Sequence, residues 1–398
     1  MNTPSMSSAT VRSGLVGLVA VGVSAVIYWL AARDFDAGRG DFFYLADAFL
    51  RGQTWLDSRP GANDVIIVGD RFYVPFAPFP AIALMPLVAV LGAVRADQLE
   101  SGINALLAAG GVGLCWALLG RIGIPRLFDR FALTVLFGFS TQILWVTTRG
   151  GVWHTGQLIA TILTLLCLIE LWGRRRAWLI GLLAGAAFLT RAPLAFAIPF
   201  YALLLMEPPA AWSIPWRRWI WLSAGVLPAI AFFFAYNQVR FGTPLESGYA
   251  LATLPGFLEV QREKGLFALA HVLTNLDYFL VHLPFPIQQF PYLRPDGLGL
   301  SVLITSPGLL FAARANWREA RSWWLLGAAV LVLVPTLLYY GGGWLQYGYR
   351  YFLDSVPFVI ALCGLAAVHQ GHIGRRWLAL IVFGTLVMAF GVYWAYNL

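Results

Sequence analysis

Charged residues are scarce in this sequence. They form 12% of the 398 residues, whereas 59% of the residues are hydrophobic. A soluble domain carries about twice that charged fraction, and so few polar groups could not cover the surface of a soluble chain of this length. The composition therefore excludes an ordinary water-soluble protein and predicts an integral membrane protein that crosses the bilayer many times.

Cysteine is also rare, and the residues that bind metals or nucleotides are poorly placed. Cys115, Cys167 and Cys363 lie inside apolar runs, which excludes a disulfide framework built on them. The histidines show no His-x-x-x-His spacing, so we predict no metal site built by the protein. A GxxxxGK[ST] phosphate loop is absent, which disfavours an ATP-driven pump. The net charge of +8 is divided among short clusters between apolar runs, so we expect no nucleic-acid partner.

Long apolar runs are what the sequence has in abundance. A helix needs about 20 mostly apolar residues to cross the hydrocarbon layer, and fewer where the bilayer is thin. The runs predict an all-α membrane protein with about eleven transmembrane helices. They cover residues 12–32, 99–120, 127–147, 154–172, 176–190, 193–206, 216–237, 298–314, 321–340, 350–368 and 375–395.

A further apolar segment, residues 75–94, decides the orientation of the chain. If this segment does not cross, Arg12 and the arginine clusters of the later short loops all lie on one side, which is the positive-inside pattern. Four prolines between positions 75 and 86 also remove backbone donors from any continuous helix. We therefore predict juxtamembrane or re-entrant helices at 75–94 and a cytoplasmic N-terminus.

This topology leaves one polytopic domain, residues 1–398, with two long extracytoplasmic loops. The loops cover residues 33–98 and 238–297 and hold most of the carboxylates, and we expect juxtamembrane helices in both. The loops on the opposite side are short and basic, so they offer little for acid-base chemistry. Function is therefore expected on the extracytoplasmic side.

The first long loop places a carboxylate just after the first span, in the motif Gly40-Asp-Phe-Phe-Tyr44. If residues 42–50 form an amphipathic helix, Asp41 occupies its N-cap position, where backbone donors help to keep the carboxylate ionised. Asp41 is then either a reactive carboxylate at the membrane interface or only the cap of that helix.

This motif and several others resemble the GT-C glycosyltransferases, in particular members related to protein O-mannosyltransferases and lipid A aminoarabinose transferases. Such proteins carry an acidic motif followed by a Tyr early in the first outer loop, and here Phe42 stands where members have a second acid. The resemblance spans most of the chain. The other similar segments are Tyr73-Val-Pro-Phe-Ala-Pro-Phe-Pro80, Gly150-Gly-Val-Trp-His154, Leu189-Thr-Arg-Ala-Pro193, Arg240-Phe-Gly-Thr-Pro-Leu-Glu246 and Gly341-Gly-Gly-Trp-Leu-Gln-Tyr-Gly-Tyr-Arg-Tyr-Phe-Leu-Asp354.

The resemblance implies a hexosyl- or pentosyltransferase of a bacterial plasma membrane. It would move a sugar, with inversion, from a polyprenyl-phosphate donor to an extracytoplasmic lipid, glycan or protein acceptor. Asp41 would act as general base, a contribution of about 10² to 10⁴ in rate. Arg191 and Arg350 would face the departing phosphate, although both lie at outer helix ends, where arginines also serve as interfacial anchors. We predict no cofactor, and the resemblance leaves a divalent cation open.

Two further residues of these segments are polar groups at predicted helix ends. Asp354 follows Arg350 by four residues, so the two can pair on one helix face. That pairing is either the whole purpose of Asp354 or the means by which it orients Arg350 towards a phosphate. His154 could hydrogen-bond a phosphate or sugar, and with Trp153 it could equally be an interfacial anchor.

The remaining candidates are groups that would contact or orient substrate. Tyr44, Tyr73 and Tyr349 belong to the segments that resemble the family. Glu246 and Tyr249 lie in the second long loop, which would cover the site and contact the acceptor, and a structural turn after Pro244 explains both of them equally well.

Two other function classes compete with the transferase. A transporter or lipid flippase would favour paired half-chain repeats and charges near the bilayer centre, whereas the acids here gather in the outer loops. A membrane scaffold without catalytic activity would be unaffected by the Asp41→Asn substitution.

Overall fold

The computed structural model describes residues 8–32, 40–58, 65–206, 215–252, 254, 256–343 and 345–395. This part of the chain is mostly helical, and the prediction of a helical membrane protein is confirmed. Among the described residues, six helices are long and apolar enough to cross a membrane. They are α1 (Ser8–Ala32), α5 (Glu100–Ile122), α8 (Val152–Leu171), α11 (Trp216–Phe241), α15 (Ala320–Leu338) and α17 (Arg375–Ala395).

The other five predicted spans are shorter or interrupted helices, so the number eleven stays a prediction. Three of the interruptions coincide with a proline at the start of a helical piece, namely Pro193, Pro307 and Pro357, because proline lacks the amide donor of a continuing helix. The pieces are α6 (Leu127–Phe139), α7 (Ile143–Thr148), α9 (Ala177–Phe188), α10 (Ile198–Leu204), α14 (Val302–Thr305), α16 (Val356–Gln370) and the 3₁₀ segments Ala192–Ala197, Pro307–Arg314 and Arg350–Asp354.

Helices α9 and α11 approach each other closely through a pair of glycines. A Cβ atom built on Gly181 would lie 2.1 Å from the carbonyl oxygen of Leu222, and one built on Gly225 would lie 2.2 Å from that of Trp178. Only glycine leaves room for this contact, which is how small residues pack membrane helices without a hydrophobic driving force. The first residues of the two helices therefore lie side by side.

The first long loop folds into α2 (Asp41–Leu50), a hairpin of β1 (Ile66–Val68) and β2 (Arg71–Tyr73), α3 (Phe79–Leu91) and α4 (Ala93–Gln98). Helix α3 occupies most of the segment 75–94. Its 13 residues reach about 20 Å, which is less than the roughly 30 Å of hydrocarbon that a crossing helix must span. Its first residue, Phe79, donates its amide to the carbonyl of Leu189 just beyond α9.

The second long loop contains α12 (Gly256–Arg262), α13 (Val272–Leu276) and a hairpin of β3 (Phe285–Pro286) and β4 (Leu293–Arg294). It contacts the first loop directly. Ile66 and Tyr73 form one apolar cluster with Ala252, and Arg240 donates a hydrogen bond to the carbonyl of Val74 at 3.0 Å. Both long loops therefore lie at the same end of the helices, as a segment 75–94 that does not cross would require.

A histidine fastens the base of the β3–β4 hairpin. His282 has Nδ1 2.9 Å from Asp277 and Nε2 2.5 Å from Asp296. A neutral imidazole has one N–H, so both contacts are hydrogen bonds only when the ring is protonated. Burial acts to lower the pKa of His282, but the hydrogen bonds to Asp296 and Asp277 outweigh it and raise the pKa above its ordinary value.

Candidate active site

Asp41 is buried at the beginning of α2, with 5% of its surface exposed. The helix begins one residue earlier than predicted, so Asp41 is its first residue and Gly40 takes the N-cap position. Asp41 therefore lies at the first helical position and not at the N-cap position, where Gly40 makes no side-chain hydrogen bond to the helix. The amide of Gly40 donates to the Asp97 carboxylate at 2.9 Å, and a Cβ atom on Gly40 would lie 2.5 Å from the same oxygen. Only glycine fits at this position.

Asp97, near the end of the first loop, also binds the tyrosine of the predicted motif. The Tyr44 hydroxyl donates to the second Asp97 oxygen at 3.2 Å. Burial and the neighbouring Asp97 carboxylate raise the pKa of Tyr44, so this hydroxyl stays protonated and remains a donor. The beginning and the end of the first loop are thereby fastened to each other beside Asp41.

Glu100, the first residue of α5, brings a third acid to this place. It is fully buried and accepts hydrogen bonds at 2.7 Å from the amide of Gly151 and from the hydroxyl of Thr155. Asp97 and Asp41 both lie close enough to Glu100 to act on it electrostatically, and such neighbours resist being ionised together. Across the described ranges, however, no group of three or more His, Cys, Asp or Glu side chains could hold a metal ion.

His154 lies at the beginning of α8, between the two residues of that segment that bond Glu100. Its Nδ1 lies 3.1 Å from the carbonyl oxygens of Arg149 and Gly150. Both partners only accept, so Nδ1 bears the proton and Nε2 of the neutral ring is an acceptor. His154 could therefore donate to a phosphate only as an imidazolium, and the neutral ring would instead accept from a sugar hydroxyl.

Helix α2 packs against α8 near His154. The ring of Phe42, next to Asp41, lies 3.5 Å from the position that a Cβ of Gly156 would take. Phe76 bridges the two elements, with its ring centroid 6.2 Å from Phe42 and 6.4 Å from Trp153. Packing thus holds α2 against the beginning of α8, to which the hydrogen bonds of Glu100 also join α5.

Arg350 lies on the other side of this segment and is 94% buried, since its relative exposure is 6%. Its backbone is fixed at both ends, because its amide donates to Gln346 and its carbonyl accepts from Gln157 of α8, each at 2.9 Å. Its guanidinium lies 5.1 Å from the ring centroid of Tyr351 and 6.0 Å from that of Trp153. These distances are in the range of cation–π contact.

The structure corrects the prediction that Asp354 takes its partner from its own helix. Asp354 forms its ion pair with Arg191, whose Nε lies 2.7 and 2.6 Å from the two carboxylate oxygens. Residues 350–354 form a 3₁₀ helix, in which residues three apart share a face and residues four apart do not. The ring of Tyr351 lies between the two arginines, with its centroid 5.4 Å from the Arg191 guanidinium.

Two solved structures resemble this fold over 95% of the chain. The crystal structure of ArnT from Cupriavidus metallidurans, bound to undecaprenyl phosphate, matches with a TM-score of 0.53 and 15% sequence identity. The chain has the GT-C fold. It spans 64% of the length of ArnT. The archaeal oligosaccharyltransferase AglB from Archaeoglobus fulgidus, in complex with an inhibitory peptide and a dolichol-phosphate, matches with a TM-score of 0.45 and 13% identity over 55% of its length.

Sequence comparison adds nothing to the GT-C assignment. No protein-family model matches the chain, and no curated protein sequence matches it significantly. The GT-C prediction from the motifs is therefore supported by the fold alone.

The other predicted residues lie in two places. Tyr349 lies next to Arg350 but is fully buried, and its hydroxyl donates to the carbonyl of Thr336. Tyr73 and Glu246 lie instead around Arg240, where Tyr73 packs on Phe241 and Glu246 accepts the amide of Gly248. Glu246 thus makes the hydrogen bond expected of a residue that stabilises the turn after Pro244. The Tyr249 ring packs on Tyr339 and lies within electrostatic reach of both Arg191 and Arg240.

Sequence reasoning missed Asp97, Glu100 and Tyr351. Asp97 and Glu100 could have been suspected because they are acids directly before an apolar span, on the side where the other acids gather. Tyr351 adjoins a predicted arginine, but only the fold shows that its ring lies between Arg191 and Arg350.

Proposed function

We propose that the chain is a membrane glycosyltransferase that moves a sugar from a polyprenyl-phosphate donor to an acceptor on the extracytoplasmic side. The GT-C fold supports this class. The undecaprenyl phosphate bound to ArnT supports a lipid-phosphate carrier of this kind. The sugar is a hexose or a pentose, and the acceptor is a lipid, a glycan or a protein.

The proposed reaction is a single inverting displacement. Asp41 accepts the proton of an acceptor hydroxyl, whose oxygen attacks the anomeric carbon. The bond between that carbon and the phosphate oxygen breaks, and the phosphate leaves with the electron pair. Arg350 and Arg191 stabilise the charge that develops on it, which lowers the barrier only as far as they bind the transition state better than the ground state.

One observation carries the proposal, namely the series of neighbouring groups that connects the surroundings of Asp41 with the backbone of Arg350. Glu100 joins the carboxylate cluster to Gly151 and Thr155 of α8. Gln157 of α8 then holds the backbone of Arg350. A general base must lie within reach of both the acceptor and the reacting carbon, and this path supports such an arrangement.

The substrate would enter at the end of the fold that holds the two long loops. A prenyl tail needs hydrocarbon and its phosphate needs headgroup level, so the site must lie where apolar helices meet a polar loop. The contact of the loops around Ile66 and Arg240 supports their lying on one side of the membrane, which the proposed topology places outside the cell.

A transfer assay with purified protein and a panel of polyprenyl-phosphate sugars tests the proposal. Asp41→Asn should lower turnover by about 10² to 10⁴, the usual contribution of a general base. Asp47→Asn is the matched control, since Asp47 lies on the same helix and forms an exposed ion pair with Arg51 at 3.2 Å. Turnover that survives Asp41→Asn undiminished would remove Asp41 as base, and transport of the lipid without sugar transfer would favour the flippase.

A further inference from the structure

Three arginines and two tryptophans line one groove at the end of the fold opposite Asp41. The groove encloses about 620 Å³ and is lined by Arg175, Ala177, Trp178, Arg217, Arg218 and Trp221. Its place follows from α9, which begins beside the groove and ends near Leu189, where the α3 helix of the first loop is bound. The 12 residues of α9 separate the two ends by about 18 Å.

The close packing of α9 and α11 brings these arginines together. Arg175 precedes α9, whereas Arg217 and Arg218 belong to the first turn of α11. The Gly181 and Gly225 contact holds the first turns side by side. Charges of like sign repel, so the packing of the two helices must offset the repulsion among these arginines.

Two of the three guanidinium groups are oriented by backbone carbonyls. Arg175 donates to Leu204 at 2.8 Å and to Met206 at 3.1 Å, and Arg218 donates to Leu205 at 3.0 Å. These contacts fix the direction in which the two guanidinium groups point. Glu207, next in sequence, lies outside the described residues, and a single carboxylate would still leave the set of three cations with a positive excess.

Besides the cationic arginines, the groove has exposed tryptophans, which are the second feature of a lipid site at the membrane interface. Trp178 and Trp221 are 48% and 52% exposed, and Leu182, one turn after Trp178, is 47% exposed. Indole rings favour headgroup level and exposed leucines favour hydrocarbon. The order from cations to indoles to an apolar flank matches the order from phosphate to glycerol to acyl chain in a phospholipid.

We propose that this groove binds the phosphate headgroup of an anionic phospholipid from the leaflet on the side of Arg12. Basic pockets between transmembrane helices on the cytoplasmic side are a recurrent solution for such lipids. The bound lipid would fix the relative position of α9 and α11 at this end. The site is separate from the proposed active site and does not depend on which donor is used there.

The test is a titration of detergent-solubilised full-length protein with phosphatidylglycerol, read by native mass spectrometry and by thermal stability. Wild type should retain the lipid and gain stability, while phosphatidylcholine should do neither. Arg217→Gln should weaken the apparent affinity about five-fold and Arg217→Gln with Arg218→Gln about 25-fold, at roughly 1 kcal/mol for each arginine near the lipid surface. The Arg217 variant leaves the carbonyl contacts of the other two arginines in place.

Arg318→Gln is the matched control, because Arg318 is exposed in another short basic segment and does not line the groove. It should bind the lipid as wild type does. Equal losses in the Arg217 and Arg318 variants would mean diffuse attraction to a basic surface and would overturn the site. Inorganic phosphate that stabilises the protein as well as the lipid does would overturn the lipid assignment.

Discussion

The ion pair between Arg191 and Asp354 is expected to be a main support of the candidate site. It joins the end of α9 to the 3₁₀ segment that carries Arg350. The Asp354 side chain is fully buried and that of Arg191 is 17% exposed. Removing one partner of a buried pair costs about 3 to 5 kcal/mol, because the other charge stays buried without compensation. The partial exposure of Arg191 places the expected cost of Asp354→Asn near the lower end, about 3 kcal/mol.

Unfolding of the purified protein in mixed micelles titrated with sodium dodecyl sulfate would measure this cost. Asp354→Asn should lower the folded-to-unfolded ratio roughly 100-fold. The double variant Arg191→Met with Asp354→Leu should be more stable than either single variant, since no uncompensated charge remains buried. Arg51→Gln, which breaks an exposed pair with Asp57, should change stability little.

Two results would refute this reasoning. If Asp354→Asn unfolds as wild type does, the pair contributes nothing to the fold. If the double variant is as unstable as the sum of the single variants, the cost arises from lost packing at each position and not from a stranded charge.

Three further predictions follow from other contacts. Gly225→Ala should destabilise the protein by about 1 to 3 kcal/mol in the same unfolding assay, because its methyl group meets a backbone carbonyl. The contacts of protonated His282 with Asp277 and Asp296 should stabilise the protein fully below the ordinary histidine pKa of about 6.5. This stabilisation should be lost as the pH rises through the raised pKa that His282 has in the folded protein. Wild type should therefore exceed His282→Gln in melting temperature at pH 6 and match it at pH 9. Lys264→Cys should react with a membrane-impermeant maleimide in intact cells, because the three native cysteines are buried and the second loop is predicted to lie outside.

Each of the three has a control or a result that contradicts it. Gly110→Ala, at an exposed helical position with open space around it, should be neutral or slightly stabilising. A difference between wild type and His282→Gln that is the same at both pH values would show that the ring acts by packing. Arg318→Cys should label only after permeabilisation, and labelling of Arg318 in intact cells with none at Lys264 would invert the topology beyond residue 98.

The sequence was sufficient for features that depend on local pattern. Uninterrupted apolar runs predicted the six long helices, because a crossing segment must satisfy its backbone internally over about 20 residues. The motif around Asp41 predicted a short helix that begins beside this carboxylate and carries Tyr44, and both residues lie within α2.

Features that depend on contacts between distant residues could not be predicted in this way. The ion-pair partner of Asp354 is Arg191, 163 residues away, and not Arg350 of the same segment as predicted. The bond of Asp97 to Gly40 joins the two ends of a long loop. No spacing rule within a single helix or strand reports such pairs.

The fastening of Gly40 and Tyr44 to Asp97 has a consequence for how such a protein can diversify. The residues between these anchor points form one loop whose two ends are joined. Lengthening a loop of that kind costs little chain entropy. Insertions or deletions towards its tip can then change the outer surface of the loop while position 41 keeps its surroundings. In the proposed transferase, substrate range and chemistry can in this way evolve on separate parts of the same loop.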